Sequence, residues 1–335
     1  KIYIGESFVH SKLFSNTYLK AGKYYKDFSS YLNETLSSGS LLISNNAEPM
    51  PKIGLLSSYK FKQSQNFNFN FGISHGLFAK SAIYKTPPML HEKFVYLNYS
   101  KNQNDFGIGF VHEAMWGGST DEDGKFSTSY KDFLKIFISA DGPLLDGQSH
   151  ANALGNHLGI WDFYYKKTVN NKELKFYYQH FFEDTSGLRF DNKSDGLWGI
   201  ELSNYTKNTN ILLEYLNTMN QDRNPPYVNE NYYNHFEYQE GWSYKGYSLG
   251  NPFINHTNNN PSKVLHLGVN RNEINKYSYR LLASRRINLS DHIKYQISIG
   301  KMINELLIGV VFTGEKNMNN NVTLKISYSP IMKAR

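Results

Sequence analysis

Phe67-Asn68-Phe69-Asn70-Phe71-Gly72-Ile73-Ser74 alternates apolar and polar side chains without a break. Successive side chains of a β-strand point to opposite faces, so this stretch makes a ribbon with one oily side and one wet side. The pattern recurs along the chain. Trp198, Ile200 and Leu202 alternate with Gly199, Glu201 and Ser203. Tyr295, Ile297 and Ile299 alternate with Gln296, Ser298 and Gly300. Val322, Leu324, Ile326 and Tyr328 alternate with Thr323, Lys325, Ser327 and Ser329. Roughly fifteen strands of this kind are expected, many near the ~9–11 residues with which a tilted strand crosses a bilayer.

The connections between strands fall into two classes. Residues 101–105, 169–172, 204–210 and 270–276 are short and rich in Asn and Lys, as hairpin turns are. Residues 117–131, 140–156 and 218–260 are longer and polar. Short turns at one end and long loops at the other are the asymmetry of an outer-membrane barrel. A soluble sandwich or propeller would also alternate, and alternation alone does not exclude it. Here the second face is Asn, Gln, Ser, Gly, Lys and Glu. Aromatic pairs also stand near strand ends: Tyr24 and Tyr25, Tyr164 and Tyr165, Tyr177 and Tyr178, Tyr232 and Tyr233. Such rings favour the membrane–water interface. The expected fold is an all-β, transmembrane antiparallel barrel, with long outer loops and a minor helix within residues 144–158.

Composition agrees. Among 335 residues, 26 are Tyr and 22 Phe, while charged residues are only 19%. Lys plus Arg number 36 and Asp plus Glu 29, a formal +7. That excess is scattered, without a basic block or a nucleic-acid motif, so nucleic acid is not expected as a partner. There is no cysteine, which excludes disulfides, thiolate zinc sites and cysteine nucleophiles. No apolar run reaches the ~18 residues of a membrane helix. The chain opens on Lys1 without a leader, as a mature or trimmed product would. No linker is visible, so residues 1–335 are read as one barrel domain.

Three regions could carry chemistry. His112 and Glu113 precede Trp116-Gly117-Gly118 at the end of a strand. Neighbours on a strand face opposite ways, so this His–Glu pair cannot converge on one substrate. Trp116 could pack at the rim, or stack on a sugar ring. Asp162 lies between Trp161 and Phe163, on the opposite face from both. The third region runs from Glu214 through Asn217, Asn220 and Arg223 to Tyr233, Trp242 and Tyr244. Carboxylates, amides and dense aromatics suit carbohydrate, by hydrogen bonds to hydroxyls and flat stacking; a self-packed loop would use the same residues. Glycoside hydrolysis would need paired carboxylates at a set separation, which nothing here fixes. No nucleophile elbow, dinucleotide glycine pattern, phosphate loop or zincin motif occurs, so no enzyme, metal or cofactor is expected.

At these segments the chain resembles the Wzi family of capsule assembly proteins. The pieces, in order, begin with Ser38 to Leu41 and Ser44 to Pro51, then Leu90 to Lys93. HEAMWGG follows at residues 112–118, GNHLGIWDF at 155–163, GLWGIEL at 196–202 and EYLNTMNQ at 214–221. Tyr232 to His235, GWSYKG at 241–246 and Gly250 to Phe253 complete the set. The resemblance implies a large outer-membrane barrel of about eighteen strands, of which N-terminal strands are expected to be absent here. It implies a Gram-negative surface protein that binds and organises capsular or surface polysaccharide as a lectin, without catalysis. The glycan contacts expected on this reading are Trp116, His112, Asp162, Glu214, Asn217, Asn220, Arg223, Tyr233, Trp242 and Tyr244. Membrane lipid and other outer-membrane proteins are the remaining partner classes. A pore or a scaffold subunit of a secretion assembly is the alternative.

Overall fold

The computed structural model describes residues 5–61, 64–144, 152–183, 185–206, 208–221, 231–272, 277–289, 292–303, 306–316 and 320–328. Among these, fifteen antiparallel strands form one sheet in which nearly every strand pairs with the next in sequence. The sheet runs from Ser7–Phe14 to Asn321–Tyr328, and no pairing joins those two among the described residues. Two-stranded ribbons pair Tyr84–Thr86 with Ser119–Thr120, and Ser243–Tyr244 with Tyr247–Ser248. At one end the hairpins are tight. Asn102 with Gln103, and Asn170 with Asn171, take the paired positive φ of two-residue turns whose twist matches the strands. The other end carries the connections 25–49, 117–155 and 218–262.

The sheet is inside out relative to a soluble protein. Trp198 is 42% exposed and Leu324 66%, and Phe71, Ile108, Leu213 and Ile297 are exposed with them. The alternating polar residues are the buried ones: Glu92, Asp162, Gln179, Glu201 and Glu214. Charged side chains are almost never fully buried unless paired, so something must meet them. Glu92 meets Lys52 and Ser74 of the neighbouring strands, and the other four meet the chain segment 25–49. Ser29 bonds Tyr96 of strand Met89–Lys101, and Thr35 accepts from Arg280 of strand Tyr277–Arg286. Seven inter-strand steps separate those strands, about 34 Å in a flat sheet. The chain from Ser29 to Thr35 reaches at most ~20 Å. The sheet is therefore curled around the segment, with its polar face inward.

Glycines let aromatic rings lie across that inner face. Gly109 is paired with Tyr96, and a Cβ there would stand 2.2 Å from the ring. Gly199 opposes Tyr177 in the same way, at 2.0 Å. Each ring covers its neighbour's missing side chain, which pins the register. The minor helix is displaced from its expected place. It occupies Tyr130–Ile138, capped by Ser129, whose side chain accepts from the Asp132 amide. Residues 152–155 of the expected stretch are not helical, and 145–151 lie outside the described residues.

Candidate functional site

The inward segment 25–49 is held at four buried stations. At the first, Asp162 accepts from Ser29 Oγ (2.5 Å), Tyr96 Oη (2.5 Å) and Tyr31 Oη. The Tyr31 ring stacks on Tyr164 at 4.7 Å, and burial with the nearby Asp162 carboxylate holds its phenol well above the ordinary tyrosine range. At the second, Gln179 accepts from the Leu41 amide at 3.0 Å and donates to Ser29 Oγ at 2.9 Å. At the third, Glu201 accepts from Asn33 (2.6 Å) and from the buried Lys175 (2.7 Å). At the fourth, Glu214 accepts from Ser37 Oγ and the Ser38 amide, both at 2.6 Å, and from Tyr177 Oη. Hydrogen bonds to charged groups in a dry interior are the strong ones. The sequence pattern expected water on this face; the structure fills this part of it with chain.

A second layer, residues 231–260, sits on the first. The buried Tyr233 hydroxyl donates to the Leu41 carbonyl (2.5 Å) and accepts from the Asn251 amide (2.8 Å). Trp242, also fully buried, donates from Nε1 to the Leu42 carbonyl at 2.8 Å. Tyr244 is buried beside Phe78. Asp195 ties the layer to the barrel rim. It accepts from Asn217 (2.8 Å), Asn220 side chain (2.8 Å) and amide (2.8 Å), and Tyr232 (2.9 Å). Burial pushes its carboxyl above the usual range against those bonds.

The ten residues singled out from sequence thus fall into separate places. Asp162, Glu214, Tyr233 and Trp242 converge on the segment 25–49, and Asn217 and Asn220 join them through Asp195. His112 and Trp116 stand apart, on the outward face of the sheet. His112 Nε2 lies 2.9 Å from His157 Nδ1 and from Ser139 Oγ, and Trp116 stacks near Phe133 at 5.1 Å. Glu113 points inward beside Glu92, its cross-strand partner, so alternation does separate it from His112. Arg223 lies outside the described residues. Tyr31, Gln179, Asp195 and Asn251 were not anticipated. A polar residue between two ring side chains, as in Tyr178-Gln179-His180, carries no mark of its partner.

An open groove adjoins this packed centre at the loop end. It encloses about 960 Å³ between the inward layers and the inner face of the last strands. Asn45, Asn46, Phe253, Ser284, Lys294, Gln296, Thr313, Glu315 and Asn321 line it. A smaller hollow of about 420 Å³ shares Asn46, Pro252, Phe253 and Lys294 with it and continues to Tyr247, His256 and Arg286. Amides, hydroxyls and flat apolar surface mixed in one cleft are what orient a polar ligand. Among the described residues no cluster of His, Asp and Glu is arranged to hold a metal ion.

The family model for the capsule assembly protein Wzi matches residues 30–327. The chain belongs to the Wzi family. It is accordingly an outer-membrane β-barrel of the capsule assembly class. A solved structure it resembles is Wzi of Escherichia coli, described as an outer membrane protein involved in group 1 capsule assembly and a carbohydrate binding β-barrel. The TM-score is 0.59 at 18% identity, over 92% of this chain and 66% of that one, a likeness of fold. The chain thus spans just under two-thirds of that structure's length. A porin variant from Rh. blastica aligns over 93% of the chain at 8% identity, with a TM-score of 0.38. A sequence comparison with curated proteins finds no match.

Proposed function

We propose that this Wzi-family barrel binds a capsular or other surface polysaccharide at its loop end, as a lectin that makes and breaks no bond. The observation that carries the reading is the groove, with its amide and hydroxyl lining and its way out through the outer loops. Gln296, Asn46 and Asn321 would exchange hydrogen bonds with sugar hydroxyls. Phe253 and Tyr247 offer flat faces, and Lys294 with Arg286 suits an acidic sugar. Of the residues singled out from sequence, Trp242, Tyr233, Glu214 and Asp162 have no free face; on this reading they hold the walls of the groove. Surface loop contacts around Asn220 remain candidates for direct contact.

Retention of labelled capsular polysaccharide by the detergent-solubilised chain tests this. Asn46→Ala with Gln296→Ala is expected to lower retention about tenfold, the equivalent of ~1.4 kcal/mol. Wild-type retention that survives the double change unaltered would remove the groove from the proposal. The pore alternative requires an open lumen. Four buried stations occupied by segment 25–49 weigh against it, and a planar-bilayer recording without conductance steps would close the matter.

A further inference from the structure

The helix Tyr130–Ile138 does not sit among the outer loops but lies against the outside wall of the barrel. Phe133 packs on His75 (5.6 Å), His91 (5.5 Å) and Trp116 (5.1 Å), and Phe137 on His91 (5.3 Å). Lys93 Nζ lies 4.2 Å over the Phe137 ring and donates to the Phe137 carbonyl. Ser139 Oγ reaches His112. These wall residues alternate with inward Ser74, Glu92 and Glu113, so they share the outer side of strands Phe67–Leu77, Met89–Lys101 and Asn104–Trp116. Phe133 meets the rim residue Trp116, and Ser139 meets His112, four residues down the strand. From Phe133 to Ser139 the helix rises about 9 Å while the strand from Trp116 to His112 covers about 13 Å, so the helix runs down the wall at a slant.

The wall beneath it is the wrong chemistry for hydrocarbon. His75, His91, Lys93, His112 and His157 face outward there, where the same strands lower down carry Phe71, Leu97, Phe106 and Ile108. Ionisable groups are costly on the lipid face of a barrel. The helix covers them, and its own outer side carries an apolar stripe bordered by the exposed Lys131. Tyr130 (76% exposed), Leu134 (46%) and Ile138 (70%) recur every four residues along one stripe. In water that stripe would be a liability; it lies on the same outer side of the sheet as the exposed apolar residues of the strands.

We propose that this helix is a membrane-docking element whose Tyr130–Leu134–Ile138 stripe is seated in the acyl chains of the surrounding bilayer lipid. It carries the apolar belt across a polar patch of barrel wall and sets how deep this side of the barrel rides. The chain has no cysteine, so single labels are clean. Leu134→Cys and Ile138→Cys, each bearing an environment-sensitive fluorophore, would be reconstituted as the full chain in phosphatidylcholine vesicles containing spin-labelled lipid. Leu324→Cys, in the strand belt, and Lys125→Cys, in the exposed loop, set the two limits. Quenching at Leu134→Cys and Ile138→Cys within about twofold of Leu324→Cys is expected. Quenching at the level of Lys125→Cys would overturn the proposal. So would efficient disulfide cross-linking between unlabelled Leu134→Cys chains, which would mean that a second copy covers the stripe.

Discussion

The middle strands and the last four strands present the same residue types inward and put them to different use. On the strands from Asn156–Val169 to Lys263–Asn272 five inner polar groups meet the segment 25–49: Asp162, Gln179, Glu201 and Glu214 hold it, and His266 Nε2 lies 2.7 Å from the Leu36 carbonyl. Beyond Arg280 the inner groups Lys294, Gln296, Thr313 and Asn321 border a groove. Arg280 marks the boundary, donating to Thr35 of the segment (3.4 Å) and to Gln296 of the groove wall (2.6 Å). A polar inner face therefore does not by itself mean a channel. What decides is whether another stretch of the same chain supplies complementary donors. The packed part fixes the groove's shape, and the unpacked part leaves polar groups for a ligand.

The largest test converts the first region into the second. Asp162→Ala removes the carboxylate that accepts from Ser29, Tyr31 and Tyr96 and leaves three buried hydroxyl protons without their shared acceptor. A loss of about 3–5 kcal/mol is expected. The stable sheet should persist while segment 25–49 becomes open to protease, with conductance appearing in planar bilayers. A segment that stays protected would mean that these stations do not hold it. Trp242→Ala acts one layer further out. It leaves a cavity over the Leu42 carbonyl at a cost of about 3–5 kcal/mol and should free residues 231–260 alone. Limited proteolysis distinguishes the two by the segment cut first.

The strands were legible and the occupant of the lumen was not, for a definite reason. Period-two alternation repeats over about eight residues, so Phe67–Leu77 or Asn321–Tyr328 can be read from one window. The destination of segment 25–49 depends on pairs such as Ser29 with Asp162, 133 positions apart, and on no local pattern. Its Ser, Asn and Gly read equally well as an outer loop. Site residues divided along the same line. Asp162 and Glu214 were noticed because a carboxylate interrupts an apolar run, but the structure gives them anchoring partners, which composition cannot show. The helix Tyr130–Ile138 had a usable mark: Ser129 followed by Asp132 before Phe133, a cap ahead of an apolar face.

A smaller change probes the inner wall itself. Gly109→Ala puts a methyl group into the Tyr96 ring, whose hydroxyl serves both Asp162 and Ser29. A cost of about 1–3 kcal/mol is expected, read as a lower midpoint for segment release. Acid should loosen the outer layer by a related route. His235 Nδ1 accepts from the Glu237 and Tyr238 amides at 3.2 Å, and burial lowers its pKa to about 3. The undocked loop binds a proton near the ordinary value of about 6.5. Docking through this group is therefore undiminished above pH 6.5 and weakens as pH falls from there toward 3. Burial raises Asp195 and Glu237, and they push the other way, so the His235→Gln difference isolates the imidazole. Trp242 accessibility to an aqueous quencher, followed between pH 7 and 4, reports it.

The smallest expected effect on stability falls in the second region and is the sharpest statement of the contrast. Gln296 lines the groove, and Arg280 can keep its contacts with Thr35 and Ser298 when the Gln296 amide is removed. Gln296→Ala should shift thermal stability by no more than about 0.5 kcal/mol, as for a substitution that leaves no buried group unsatisfied. Gln179→Ala, the same change on the same face five strands away in the sheet, strips partners from Leu41 and Ser29 and should cost about 1–3 kcal/mol. Paired melts of the two variants decide the matter. Equal losses would mean that the last strands are packed like the middle ones, and that their inner face is no more available to a ligand than Asp162 is.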